Sequence, residues 1–205
     1  MYKLYFSPGA CSLATQVVLR ELSQPVELIN KQSVENFDEI NPVGVVPLLL
    51  DGQLKLKEGA AIMLYLLEKH PNSMLPKSGE LRQLAIQDIM FANATMHPAY
   101  GRLFFIERSI ASELDKNAKL AAFNAAADAI NQLWGVVETR LVEQDYLGGT
   151  TPSAADIMLA VYARWGEFFP VDIKIGKRTQ AMLNKVQSMT SFQQSIDAEN
   201  ALAAV

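Results

Sequence analysis

The 205-residue chain has one cysteine and two histidines, and each scarcity excludes something. A single thiol closes no internal disulfide and builds no CxxC metal site, and it fits a reducing compartment. So few histidines and cysteines make a metal centre unexpected. Excess positive charge is also lacking. The 18 Lys and Arg against 22 Asp and Glu leave a net charge of −4, which gives no electrostatic attraction to nucleic acid or an anionic membrane surface. The N-terminus lacks a basic segment followed by an uninterrupted apolar run, so no signal peptide is expected. No apolar stretch is long enough to span a bilayer. These absences lead to the expectation of a cytoplasmic protein. What remains is ordinary for a globular chain, 50% apolar and 20% charged, with length for one large domain or two small ones.

The one cysteine occupies an informative place. Tyr2-Lys3-Leu4-Tyr5-Phe6 reads as a strand and Ser7-Pro8-Gly9 as a turn. From Ser12 onward, Leu13, Val17, Val18 and Leu22 recur at helical spacing. Cys11 is therefore expected at a strand-to-helix turn, beside unpaired backbone N–H groups and the positive end of the helix dipole. That environment lowers a cysteine pKa and favours the thiolate. The other reading of Cys11 is a small buried hydrophobe.

The two halves differ in period. The first mixes strands and helices: the opening strand and helix, a strand from Val26 to Ile29, and a buried strand around Val45-Val46-Pro47-Leu48-Leu49-Leu50. An Asp51-Gly52 hairpin turn follows, with a return strand from Gln53 to Leu56 and a helix over 59–69. Strand–helix–strand order predicts a βαβ unit with parallel pairing. Residues 74–79 read as a linker. Beyond Glu80 almost everything reads as helix. One long helix is expected from Leu81 to about Ser112, kinked at Pro98, and an alanine-rich one from Lys116 to about Gln144. Ser153-Ala154-Ala155-Asp156 resembles a capping box opening a helix to about Phe169, and shorter helices follow over 177–188 and 192–200. The expected architecture is a four-stranded mixed sheet with flanking helices up to about residue 75, then an all-α region with no strand over 85–145.

Three further features carry two readings each. Pro47, opening a strand after an irregular loop, is a candidate for a cis bond that exposes main-chain groups to an extended peptide, although a trans bond is the commoner state. Glu58-Gly59 at a helix start offers N–H groups to a carboxylate and a carboxylate to an ammonium, or else Glu58 only complements the helix dipole. His97 is a lone helical histidine, either a satisfied structural residue or a catalyst.

Taken in order, Tyr5-Phe6-Ser7-Pro8-Gly9-Ala10-Cys11-Ser12-Leu13, Val18-Leu19-Arg20-Glu21, Asn41-Pro42-Val43-Gly44-Val45-Val46-Pro47, Glu58-Gly59-Ala60-Ala61-Ile62 and the Ser153–Asp156 box resemble the glutathione transferases, specifically their bacterial beta class. The resemblance spans nearly the whole chain. It implies a thioredoxin-like glutathione-binding domain with a cis-proline over 1–76, an all-α helical-bundle domain over 82–205, and a homodimer that sets the sheet domain of one subunit against the helical domain of its partner. It implies glutathione as co-substrate, with Cys11 facing its sulfur and Val46 and cis Pro47 holding its cysteinyl unit. Glu58 and Gly59 lie at the γ-glutamyl end, and His97 faces the thiol site. Ala10, Tyr5 and Val45 complete the expected glutathione contacts. Ser12, Tyr5 and His97 are candidate donors to a thiolate. Tyr100, Phe104, Trp165 and Phe168 are candidate walls for a small hydrophobic electrophile, or else simply core. The chain departs from the family pattern at Thr15-Gln16, where Pro-His is frequent, in a shortened 30–40 segment, and at Pro98, where a basic residue often contacts the tripeptide carboxylate.

The activity implied is conjugation of the glutathione thiolate to small electrophiles, together with glutathione-dependent thiol–disulfide exchange through Cys11, for which a monothiol site suffices. The competing reading is a non-catalytic carrier of glutathione or hydrophobic ligands, or a protein-interaction module, on the same scaffold.

Overall fold

The computed structural model describes residues 1–110 and 112–203. Strand β1 (Tyr2–Phe6) leads through helix α1 (Ser12–Glu21) to β2 (Val26–Asn30), which pairs with β1 in parallel. A short helix α2 (Phe37–Ile40), which the sequence reading did not anticipate, precedes β3 (Leu48–Asp51). Strand β3 pairs antiparallel with both β1 and β4 (Leu54–Lys57), so the mixed sheet has the order β2-β1-β3-β4. The hairpin sits one residue later than the Asp51-Gly52 signal places it. Asp51 pairs with Leu54, leaving Gly52 and Gln53 as the loop, and Gly52 supplies the positive φ of 60° that the turn demands.

Helix α3 (Gly59–Lys69) turns Ile62, Met63, Leu66 and Leu67 into the core. The predicted kink at Pro98 takes a different form. Helix α4 (Gly79–Met90) runs into a wide π-helical segment over Phe91–Met96 and then into α5 (His97–Phe105), with a second wide segment over Ile106–Ile110. A proline ring collides with the carbonyl four residues back in a regular helix. The wide turns ending at Met96 relieve that collision before Pro98 instead of breaking the helix at it. Residue 111 of the expected helix lies outside the described residues.

Asp115 caps α6 (Lys116–Arg140) by accepting from the N–H groups of Asn117 and Ala118 at 2.8 and 2.9 Å. This helix ends short of Gln144. Helix α7 (Ala154–Ala163) opens on the predicted capping box and gives way to a 3₁₀ turn at Arg164–Phe168. Helices α8 (Lys177–Gln187) and α9 (Thr190–Ala203) close the chain. Among the described residues no strand occurs over 85–145. Buried Leu13, Val17 and Val18 of α1 share one apolar core with Ile157 and Val161 of α7 and Phe192 of α9. Arg20 Nε donates to Ser195 Oγ at 3.0 Å. The helix that follows the cysteine turn is thus held directly by the helical half of the molecule.

Candidate active site

A cleft of about 1090 Å³ opens between the sheet half and the helical half. One wall comes from the turn after β1, the loop before β3 and the start of α3. The other comes from α5, its π segments and the 3₁₀ turn after α7. Cys11 lies at the meeting of the two, half-buried at the N-cap of α1. Its Sγ is 3.6 Å from the carbonyl oxygen of Val46, and the Val46–Pro47 bond is cis. Ala10, Val45, Val46, Pro47, Glu58 and Gly59 share this wall. Glu58 adopts φ 67°, a backbone region that costs a non-glycine residue roughly 1–3 kcal/mol. The strained residue sits just where α3 presents its first N–H groups. Across the cleft, Asn93 Oδ1 lies 3.2 Å from where a β-carbon on Gly59 would be, so the bare backbone at position 59 lets that carboxamide come close.

The turn bearing Cys11 is clamped from both sides by helical residues. Trp165 Nε1 donates to the carbonyl of Gly9 at 2.8 Å, and the N–H of Gly9 donates to Glu199 Oε2 at 2.8 Å. Gln16 Nε2 donates to the other Glu199 oxygen at 2.6 Å. Among the described residues, buried Gln16 Oε1 and Thr15 Oγ1 have no hydrogen-bond partner. The residues standing where the family pattern often has Pro-His therefore belong to a polar contact between α1 and α9. Glu199 itself is buried. Burial pushes its carboxyl up to about 7, against the Gly9 and Gln16 hydrogen bonds and the Arg164 charge that pull it down.

The electrostatics reverse the expectation for Cys11. Burial pushes its thiol up to about 11, and the carboxylates of Glu58 and Glu199 add to the rise. The backbone N–H groups of Cys11 and Ser12 oppose this and are outweighed. The helix N-terminus is present as predicted, but desolvation decides the sign. His97 stands between Tyr162 and Trp165, edge-on to both with ring centroids 5.2 Å away. Burial lowers its pKa, although Glu58 pulls the other way, so its imidazole is neutral at pH 7.

Three of the expected site residues do not line the cleft. Tyr5 points to the opposite face of the sheet, packed on Phe37 at 5.5 Å and on Leu48, because side chains alternate along β1 and Leu4 takes the core face. Ser12 is buried, and its hydroxyl accepts from the Ser7 N–H at 3.4 Å, which ties the turn together. Tyr100 is fully buried, and its hydroxyl accepts from Trp134 Nε1 at 2.9 Å. On α5 the cleft face runs through His97, Gly101 and Phe104, and Tyr100 falls to its inner side. Phe104, Trp165 and Phe168 do line the cleft. Asn93, Arg108, Lys31 and Glu199 were not anticipated. The first three carry no local motif, and Glu199 lies 190 residues from its Gly9 partner.

A mixed sheet with a cis-proline beside a thiol at a helix N-terminus, facing a helical wall across a wide cleft, defines a thioredoxin-like domain joined to an all-α domain around a thiol-facing site. Comparison with known proteins fixes the family. Residues 3–74 match the family described as "Glutathione S-transferase, N-terminal domain", and residues 93–185 match "Glutathione S-transferase, C-terminal domain". Glutathione S-transferase GST-4.5 of Xanthomonas campestris is 31% identical over 204 residues, covering 96% of this chain and 98% of that protein. The structure of a glutathione S-transferase from Xylella fastidiosa superposes with a TM-score of 0.87 at 26% identity, covering 98% of this chain and 99% of that one. A sphingomonad glutathione S-transferase solved with glutathione gives a TM-score of 0.82 at 28% identity, over 97% and 98% of the two chains. The chain belongs to the glutathione S-transferase family.

Proposed function

We propose that this chain binds glutathione in the cleft and conjugates its thiolate to small electrophiles, as a beta-class-like enzyme. The observation that carries the reading is the convergence on one cleft of Cys11, the main chain at the cis Val46–Pro47 bond, the Glu58-Gly59 start of α3, and an aromatic wall. The cysteinyl unit of the tripeptide would pair with the Val46 main chain in the manner of an added strand. Its γ-glutamyl ammonium would meet Glu58, and the adjacent carboxylate the first N–H groups of α3. The sulfur would then lie beside Cys11.

In this arrangement Cys11 acts as a protonated donor. With its thiol pushed up to about 11 by burial, Cys11 is protonated at pH 7. The S–H group is available to hydrogen-bond the glutathione thiolate, and the N–H groups at the start of α1 add to that stabilisation. His97, neutral and facing the same space, can accept the proton released from the bound thiol. The thiolate then attacks the electrophile, forming the carbon–sulfur bond as the leaving group departs with its electron pair. Thiol–disulfide exchange through Cys11 needs the rare Cys11 thiolate and is the slower chemistry of this site. The proposed dimer finds support in Leu81 and Leu84, exposed one turn apart on α4 at 70% and 42%, a face suited to a second copy. Among the described residues no helix is long and apolar enough to cross a membrane. We place the protein in the cytoplasm, where a free thiol persists.

Calorimetry with glutathione, followed by a conjugation assay with chlorodinitrobenzene, tests the reading. Binding with turnover supports it. Binding without turnover of any electrophile favours a carrier, and absence of binding refutes a glutathione site.

A further inference from the structure

The aromatic wall of the cleft ends in a cation. Arg108, in the wide helical segment after α5, lines the cleft with its guanidinium carbon 5.0 Å from the centre of the Phe104 ring. Phe104 in turn meets Trp165 edge-on at 5.7 Å and Phe169 at 4.8 Å. Phe168 beside them is 62% exposed. Among the described residues no carboxylate pairs with Arg108. The nearest acid in sequence that also lines the cleft, Glu107, is drawn away to Lys119 at 3.1 Å. The indole of Trp165 reaches the Gly9 carbonyl next to the thiol. A path along the wall therefore runs from the Cys11 turn, over Trp165 and Phe104, to a guanidinium that lies over an aromatic ring and has no carboxylate partner among the described residues.

We propose that the electrophile site selects flat aromatic or conjugated substrates that carry an anionic group, a carboxylate or sulfonate, at the end distal to the reacting carbon, and that Arg108 receives that group. The inference rests on the glutathione-conjugating reading and names the class of its second substrate. Two features of the wall support it. Edge-on aromatic rings accept a planar apolar body. A guanidinium resting on a ring keeps its in-plane N–H donors directed outward for a carboxylate. A neutral aromatic would fill the same wall and leave the cation unused. In the conjugation step the glutathione sulfur bonds to the ring carbon, chloride leaves with the bonding electrons, the thiol proton passes by way of His97 to solvent, and the distal carboxylate keeps its charge throughout. Arg108 is thus a specificity residue for binding, with no part in the bond changes.

The test compares chlorodinitrobenzene with its carboxylate-bearing counterpart, chlorodinitrobenzoate, at saturating glutathione in native protein, Arg108→Met and Arg108→Lys. A charge-assisted contact predicts that Arg108→Met loses about tenfold in kcat/KM on the anionic substrate and changes little on the neutral one. Arg108→Lys should keep only the part of the preference that charge alone supplies, and added salt should erode it. Equal effects on the two substrates overturn the inference. So does a comparable loss of glutathione affinity in Arg108→Met, which would assign the arginine to the tripeptide. If glutathione fails to bind at all, the conjugation reading falls by itself. The anion site is then judged by calorimetry with dinitrobenzoate against dinitrobenzene. Tighter binding of the anion that Arg108→Met abolishes sustains the site, and equal binding ends it.

Discussion

Replacing Glu199 with glutamine should make the protein more stable at alkaline pH while leaving it unchanged in acid. The carboxyl of Glu199 is raised from 4.5 to about 7 by burial, so the native state binds its proton more tightly than the unfolded chain does. Stability from this group is therefore fully present below about pH 4.5 and declines as pH rises to about 7, where the carboxylate must be held charged in the core. At about 1.36 kcal/mol per unit, the whole decline amounts to about 3 kcal/mol. A glutamine at 199 keeps an acceptor for the Gly9 N–H and adds an NH₂ that can donate to Gln16. The Gln16 amide can reverse to meet it, its oxygen accepting from the new NH₂ in place of the present Nε2 to Glu199 contact. Urea denaturation at pH 5 and pH 8, native against Glu199→Gln, reads the effect. Buried Asp156 is raised by the same cause and contributes its own decline to both proteins, so the difference between them isolates Glu199. The expected result is an advantage to the variant of less than about 1 kcal/mol at pH 5 and of about 3 kcal/mol at pH 8. A variant that is less stable at pH 8, or a difference independent of pH, refutes the assignment of a strained buried carboxylate under the cysteine turn.

Asp156→Ala removes the acceptor for the N–H groups of Leu147 and Ser153 and for the Ser153 hydroxyl, at 2.9, 2.8 and 2.7 Å. It should cost about 3 kcal/mol in denaturant titration and leave the turnover per folded molecule unchanged. Trp165→Phe keeps a ring in the wall but frees the Gly9 carbonyl. Stability should fall by about 1 kcal/mol, and conjugation should drop more than glutathione binding does, because the thiol-bearing turn loosens. Leu81→Glu places a charge on the exposed face of α4 and should shift the species seen by light scattering from dimer to monomer without altering the far-ultraviolet dichroism.

Much of the fold was legible because its signals are local. The alternation in Tyr2–Phe6, the Asp51-Gly52 turn, the apolar stripe of 59–69 and the Ser153–Asp156 box each specify an element within a few residues. Their order suggested the family in turn. What could not be read depended on which face turns inward and on what arrives from far away in sequence. Tyr5 alternates away from the cleft because Leu4 and the core fix the register of β1. Tyr100 and Phe104 share an apolar helix, and only the packing of Trp134 against the Tyr100 hydroxyl decides which of them is core. The helix start at Cys11 correctly suggested N–H groups near the thiol. Burial outweighs their effect, the acids that add to it come from the start of α3 and from the last helix, and no spacing in the chain connects Glu199 to Gly9. The π segments around α5 also escaped notice, because Pro98 announces a disturbed helix without saying which residues will absorb it.

The most direct test of the account follows thiolate absorbance in the ultraviolet as pH is varied, for native protein and Cys11→Ala with glutathione bound. Glutathione bound to the native protein should ionise well below the ordinary thiol value of about 8.5. Cys11→Ala should still bind glutathione but move that midpoint upward while retaining measurable conjugation and losing thiol–disulfide exchange. A midpoint that is unshifted in the native protein, or identical in the two proteins, would contradict the claim that a protonated Cys11 holds the charge of the glutathione sulfur.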